Sequence, residues 1–279
     1  MRKVLLGVIL SLSLLSVGEV LVNPSEAKVI NKKVSKEELN KKLIEAIENN
    51  DIKLVKNLIL KGADINFVFI NEYNNSFTPL ILSILYGNKE ISNLLIEKVI
   101  DPNIKDNYSR PALFFALEKG YVGIAEKLIK KGANVNIRFK HSDYENFTPL
   151  MWTSFYLNKI DLAKLILSKG GDIDAKTNEG FTPLIIASEF NNISMVKFLL
   201  ERKANINASI NEGYYIGYTS LMFAIQNENE DLVKLLISKG ANVNSIISDG
   251  KYKGYTLLSF ASNIANKSII DILKKYGAK

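Results

Sequence analysis

Apolar residues along this chain come in short bursts at three- and four-residue spacing, and the bursts return at near-constant intervals. Leu54-Val55 with Leu58-Ile59, and Leu232-Val233 with Leu235-Leu236, each draw one stripe down a helix while the lysines between them stay polar. A second phrase precedes each stripe: Thr78-Pro79-Leu80, Thr148-Pro149-Leu150, Thr182-Pro183-Leu184, Thr219-Ser220-Leu221 and Thr256-Leu257-Leu258, with Pro111-Ala112-Leu113 as a degenerate copy. From residue 78 the successive spacings are 33, 37, 34, 37 and 37. A Thr hydroxyl caps an orphan amide at a helix start, and Pro fits the first helical position, where its missing N–H costs nothing. A third phrase follows the stripe: Gly62-Ala63-Asp64-Ile65-Asn66 returns at Gly132–Asn136, Gly170–Asp174 and Gly240–Asn244. Its Gly supplies a left-handed helix cap, and the Asp or Asn favours a turn. Each unit is therefore predicted to run helix, short turn, helix, cap and extended loop. No unit can bury its apolar face alone, so the copies must stack.

Phrase, spacing and cap together resemble the ankyrin family, whose repeat is about 33 residues with a T-P-L-H-x-A phrase. The resemblance covers about Lys36 to Lys279. It implies an all-α repeat solenoid, helix-turn-helix repeats with β-hairpin fingers, in about seven copies of which the terminal ones act as caps. The first copy lacks Thr-Pro but carries Leu43-Ile44-Glu45-Ala46 in register, with Ser35 and Glu38 placed as a capping box. The chain ends on a seventh cap phrase, Tyr276-Gly277-Ala278-Lys279, as a terminal repeat would. Two departures stand out. The family's His is replaced in every copy, by Ile81, Phe114, Met151, Ile185, Met222 and Ser259, so apolar packing must substitute for the hydrogen bond from Thr to His. The cap Gly is replaced by Val99 and Lys203, which predicts strained or reshaped junctions there.

The first 27 residues follow a different pattern. Arg2 and Lys3 precede an unbroken run of apolar or small residues from Val4 to Val17, and Ser25-Glu26-Ala27 offers a small-residue cleavage site. Residues 1–27 are thus predicted to be a signal peptide and 28–35 a short linker. A retained membrane anchor is the alternative, although Glu19 would cost about 2.5–3.5 kcal/mol in hydrocarbon. The expected location is periplasmic, cell-surface or secreted, in a bacterium, with no stable membrane insertion after cleavage. The chain has no Cys, which rules out a lipoprotein, disulfides and thiol chemistry. One His, and no phosphate-cradling Gly-rich loop, argue against an enzyme. No catalytic residue, cofactor or metal is assigned. Asp172, Asp174 and Asn178 suggest a calcium loop, but Lys176 and Thr177 occupy its ligand and Gly positions.

The loops carry the candidate binding chemistry. From the Asn or Asp ending each cap to the next Thr position they span 12, 8, 12, 8, 12 and 12 residues, and the longer form is enough to extend a hairpin by two residues per strand. Asp249-Gly250 marks a tight hairpin. The long fingers carry Phe67, Phe69, Tyr73, Phe139, His141, Tyr144, Tyr214, Tyr215 and Tyr252. Two readings stay open: these side chains contact a partner, or neighbouring fingers bury them on one another. The aromatic before each Thr (Phe77, Phe147, Phe181, Tyr218 and Tyr255) reads as scaffold. The ends of the first helices form a second candidate surface, read in register as Leu85-Tyr86, Tyr156-Leu157 and Glu189-Phe190 in its middle, with polar ends. Its candidates are Tyr86, Tyr156 and Phe190. The family resemblance implies a non-catalytic, monomeric interaction scaffold holding an unknown protein or peptide through fingers and concave helix face. A secreted effector acting on a host protein is one alternative, and a binder of anionic polymer is another. The net charge is +7, but many lysines lie at ends of second helices, where they complement the dipole, so nucleic acid is not the expected partner.

Overall fold

Fourteen helices, counted among the described residues of a computed structural model, fall into seven consecutive pairs. Residues 35–99, 101–139, 146–156, 159–247, 249–264 and 267–279 are described. The expected signal segment 1–27, residues 28–34 of the linker, His141, Tyr144 and Leu157 lie outside them. The pairs are α1 (Lys36–Glu48) with α2 (Ile52–Leu60), α3 (Pro79–Leu85) with α4 (Lys89–Lys98), α5 (Ala112–Glu118) with α6 (Val122–Lys130), and α7 (Pro149–Phe155) with α8 (Ile160–Ser168). They continue as α9 (Pro183–Glu189) with α10 (Ile193–Glu201), α11 (Ser220–Gln226) with α12 (Glu230–Ser238), and α13 (Leu257–Ile264) with α14 (Lys267–Lys275). Lys36–Lys279 is one compact unit, in which each first helix packs on its own second helix and on the first helices to either side.

The two helix types are buried differently, as their composition requires. Ala112–Leu117 of α5 and Pro183–Ser188 of α9 are buried on every side. In α12 only Leu232, Val233 and Leu236 are buried, and the opposite face is wet. A helix apolar all round must lie inside, whereas an amphipathic one can close the outer layer. Each buried Leu or Ile stabilises the stack by about 1.5–3 kcal/mol.

The capping chemistry follows the phrases. Thr78, Thr148, Thr182 and Thr256 accept the amide three residues on, at 3.1, 3.4, 3.3 and 3.3 Å, whereas Thr219 makes no such bond. At the family's His position Ile81, Phe114, Ile185 and Met222 are fully buried, the expected apolar substitution. Met151 is fully buried as well, although its sulfur also takes a hydrogen bond, and the half-buried Ser259 departs from the expectation. The Met151 sulfur accepts the Thr148 N–H at 3.4 Å, and Ser259 Oγ lies 3.4 Å from Thr256 Oγ1.

The two replaced cap glycines behave unlike each other. Lys203 keeps the left-handed conformation, with φ +65°, and its successor Ala204 still donates to the Leu199 carbonyl at 3.1 Å. Val99 is extended, with φ −65° and ψ 137°. A β-branched side chain makes the left-handed well too costly, so the chain leaves the helix another way.

This difference matters because the caps are stitched to each other. Asn40, Asn103, Asn136, Asp174, Asn207 and Asn244 accept the backbone N–H of Asp64, Asn134, Asp172, Asn205, Asn242 and Lys279, at 2.7–3.0 Å. Asn103 and Asn136 also donate to the Gly132 and Gly170 carbonyls, at 3.1 and 2.8 Å. Asp172 and Asp174, weighed above as cation ligands, are rungs of this ladder. One rung is missing: Asn66 Oδ1 is buried without a hydrogen bond.

Candidate binding surface

The fingers largely close on themselves and on their neighbours. In the first, β1 (Phe69–Ile70) pairs antiparallel with β2 (Ser76–Phe77), Phe69 opposite Phe77. Three other fingers hold single bridges, Lys105 to Pro111, Ser209 to Thr219 and Ile246 to Thr256, and in the two long ones this is a smaller hairpin than their length allows. Finger joins finger through polar bonds. Asn107 accepts from the Ser76 amide at 3.1 Å and donates to the Asn74 carbonyl at 2.8 Å, and the Asn211 amide donates to the Glu179 carbonyl at 2.8 Å. A Cβ at Gly250 would come within 2.8 Å of Ile216, so the hairpin tip, at φ +79°, packs directly on the preceding finger.

This packing places the described finger aromatics differently from one another. Phe139 is not contact surface, as the sequence suggested, but is 1% exposed. Its ring sits edge-on to Phe114 at 5.0 Å and to Trp152 at 6.4 Å. The Phe139 amide donates to the Phe147 carbonyl and the Asn146 amide to the Phe139 carbonyl, which holds Phe139 at the base of its finger with the ring in the core. Tyr215 and Tyr252 are half-buried, the first against Phe181, Tyr218 and Phe223, the second against Tyr255 and Phe260. Phe67 and Phe69 pack in a tilted pair, 6.0 Å between centroids, and line an open cavity of about 640 Å³ beside α1. Tyr73 and Tyr214 are the finger candidates that remain in water, 67% and 74% exposed. The recurring aromatics before each Thr, Phe77, Phe147, Phe181, Tyr218 and Tyr255, all pack against the core.

The ends of the first helices make a different surface. Tyr86, Tyr156 and Phe190 each sit eight residues after a Thr position and are 47%, 40% and 44% exposed. Tyr86 Oη donates to Glu48 of the preceding pair, a long bond at 3.4 Å, and burial together with that carboxylate raises the phenol's pKa. Here the register needs one correction. Helix α7 ends at Phe155, so Phe155 and Tyr156, not Tyr156 and Leu157, stand level with Glu189 and Phe190. Phe155 meets Phe190 edge-on at 4.4 Å and Tyr156 at 4.9 Å, and Tyr156 stacks flat on Trp152 at 5.2 Å with 9° between planes. The result is a continuous aromatic run from Trp152 to Phe190 across two helix pairs. Beside it a cavity of about 300 Å³ opens between the third and fourth pairs, walled by Leu117, Val122, Trp152, Tyr156 and Leu162, with Lys119 and Lys159 among its lining residues.

Glu189 lies in this run and sequence reading passed it over. It is half-buried and makes no hydrogen bond or ion pair with any described residue. Burial pushes its carboxyl up to about 7. Trp152 and Phe155 were missed as well. Their signal was the fixed offset from Thr148, four and seven residues, which turns Trp152 toward the preceding pair and Phe155 toward the next.

No group of three or more acidic or His residues able to hold a metal ion occurs among the described residues. No described helix is long and apolar enough to cross a membrane.

Comparison with known proteins places this geometry in a family. A model described as Ankyrin repeats (3 copies) matches residues 43–139 and 138–210, and a second, Ankyrin repeats (many copies), matches 187–237. The chain is 30% identical over 158 residues to the ankyrin repeat protein FPV031 of Fowlpox virus, covering 55% of this chain and 45% of that one. It is 25% identical to the ankyrin repeat domain of Bcl-3, with a TM-score of 0.64 over 84% of this chain and 97% of that one. It is 31% identical, with a TM-score of 0.58 over 71% of this chain and 98% of that one, to a chain in the complex of the predatory endopeptidase Bd0816 of Bdellovibrio bacteriovorus with immunity protein Bd3460. The match spans less than half the length of the first of these relatives, 45% of FPV031, and 9% of alpha-latrocrustotoxin-Lt1a of Latrodectus tredecimguttatus. Two family models covering residues 43–237, over fourteen helices that stack in pairs, establish that the chain belongs to the ankyrin-repeat proteins.

Proposed function

We propose that this seven-repeat stack is an exported, non-catalytic protein that holds a protein or peptide partner on the face formed by the ends of its first helices. Ankyrin repeats are protein-binding modules. The observation that carries the reading is the aromatic run Trp152–Tyr156–Phe155–Phe190, solvent-facing at Tyr156 and Phe190 and flanked by an apolar cavity. Soluble surfaces seldom keep such a run unless something docks on it, and Tyr and Trp dominate binding hot spots. Export rests on the basic, apolar and small-residue succession of residues 1–27.

The solved complex with a 31% identical chain pairs an endopeptidase with an immunity protein. A peptidase of the same cell envelope is therefore the first partner class to test.

The test compares two baits, the natural chain and a Tyr86→Ser, Tyr156→Ser, Phe190→Ser variant, crosslinked to envelope and extracellular extracts. All three side chains are exposed, so the variant should melt like the natural chain. A partner held by the first bait and lost by the second supports the reading. Identical recovery by both, or recovery only of anionic polymer released by salt, refutes it and favours the lysine-rich outer face. Mass measurement of the exported protein tests the leader: loss of residues 1–27 is the expected result.

A further inference from the structure

The geometry points to a basic partner side chain, arginine or lysine, seated with its stem over Phe155 and Phe190 and its cation against the Glu189 carboxylate. This inference rests on the helix-end face being the partner surface. Three observations meet at this spot. The first is register. Glu189 sits seven residues after Thr182, level with Phe155 after Thr148 and Gln226 after Thr219, so an acid follows an aromatic along one row. The second is that the carboxylate is unspent. Glu48, the acid in the same row of the first pair, receives Tyr86 Oη, whereas Glu189 has no hydrogen bond or ion pair to a described residue. Its backbone carbonyl is engaged by Asn227 Nδ2 at 2.8 Å, while its side chain has no partner among the described residues. The third is the exposed ring beside it, Phe190, held edge-on to Phe155 at 4.4 Å.

Charge decides the occupant. Glu189 is already half out of water, and burial raises its carboxyl to about 7, with no cation paired to it among the described residues. The charged side chains on the flanking segments are Lys159, before α8, and Glu228, after α11. Lys159 lines the cavity against Trp152 and Tyr156. A purely apolar partner docking here would strip the remaining water from an unpaired carboxylate. An acidic partner would add repulsion. A basic side chain removes the penalty and gains the exposed face of Phe190, since cations are drawn to aromatic faces. The cavity beside Trp152 is then free to take a neighbouring apolar side chain of the same partner.

The chain contains one tryptophan, Trp152, stacked on Tyr156 within the run, so its fluorescence reports on this face alone. The probes are N-acetyl-arginine amide and its neutral counterpart N-acetyl-norleucine amide, titrated at pH 8 into the full chain. The arginine probe is expected to bind at least about tenfold more tightly, and Glu189→Gln should abolish that preference while leaving norleucine binding unchanged. Phe190→Leu keeps an apolar stem contact but removes the ring face, and should weaken the arginine probe selectively. Equal binding of the two probes, no binding of either, or an arginine preference that survives Glu189→Gln overturns the inference. Loss of partner capture in the face variant without any arginine preference defeats the inference alone. Capture that survives the face variant defeats the parent reading as well.

Discussion

Val99 and Asn66 line one small cavity between the first two helix pairs, and the extended backbone of the first leaves the side-chain carbonyl of the second without a donor. At the matching place between the second and third pairs, Asn103 accepts the Asn134 amide at 2.7 Å, because Gly132, at φ +99°, turns the chain back toward it. A closed rung and an open rung of the same ladder thus occur in one molecule.

Substitutions on the ladder should read out that difference. Asn136→Ala removes the acceptor for the Asp172 amide and the donor for the Gly170 carbonyl, both at 2.8 Å. It is expected to cost about 1–2 kcal/mol in chemical denaturation. Asn66→Ala removes a carbonyl that is already unsatisfied and should cost less than half as much. Equal costs would mean that the ladder bonds add nothing to stability.

Lys203 holds a left-handed conformation that a side chain resists, on an exposed corner. Lys203→Gly relieves that strain at the price of a looser unfolded chain, and should raise stability by roughly 0.5–1 kcal/mol. A loss of stability in the melting curve would show that the lysine side chain has contacts worth more than its backbone strain.

Phe139 is core, so Phe139→Ala should destabilise the fold by about 3–5 kcal/mol through cavity formation. Tyr73→Ala and Tyr214→Ala, at exposed finger positions, should stay within about 0.5 kcal/mol of the parent. Comparable costs at all three would contradict the inward finger geometry.

Glu189 makes stability depend on pH. Its carboxyl is raised from 4.5 to about 7 in the fold, so between those values the native state holds a proton that the unfolded chain has released. Stability therefore falls as pH rises through this window, is free of this penalty below it, and carries the full penalty above about pH 7. Because the group is half in water, the effect is on the order of 1 kcal/mol rather than the full converted shift. Glu189→Gln should flatten this part of the profile and be the more stable protein at pH 8. Parallel profiles for the two proteins would show that the carboxylate is well solvated.

The architecture was legible because it is written in local chemistry. Thr-Pro starts a helix, a three-four stripe buries one face, and Gly ends it, each within a few residues of chain. These signals located the helix pairs, their capping threonines and the recurring scaffold aromatics. The loop aromatics were legible only as side chains in search of a cover. Phe139 and Tyr73 have the same kind of sequence setting, yet one is buried against Phe114 and Trp152 and the other stands in water.

What separated them is the packing of one finger on the next repeat, a contact between residues more than a dozen positions apart that no local pattern encodes. The same holds for the binding face. Phe155 and Phe190 are 35 residues apart in sequence and 4.4 Å apart in space, and the acid between them looked like one more polar helix end. Sequence alone determined the repeat, its period and its caps, because those depend on short-range hydrogen bonds and helical periodicity. The tertiary structure alone decided which aromatics remain exposed, which rung stays open and where a carboxylate loses its water, because burial and pairing are set by the neighbour across the stack.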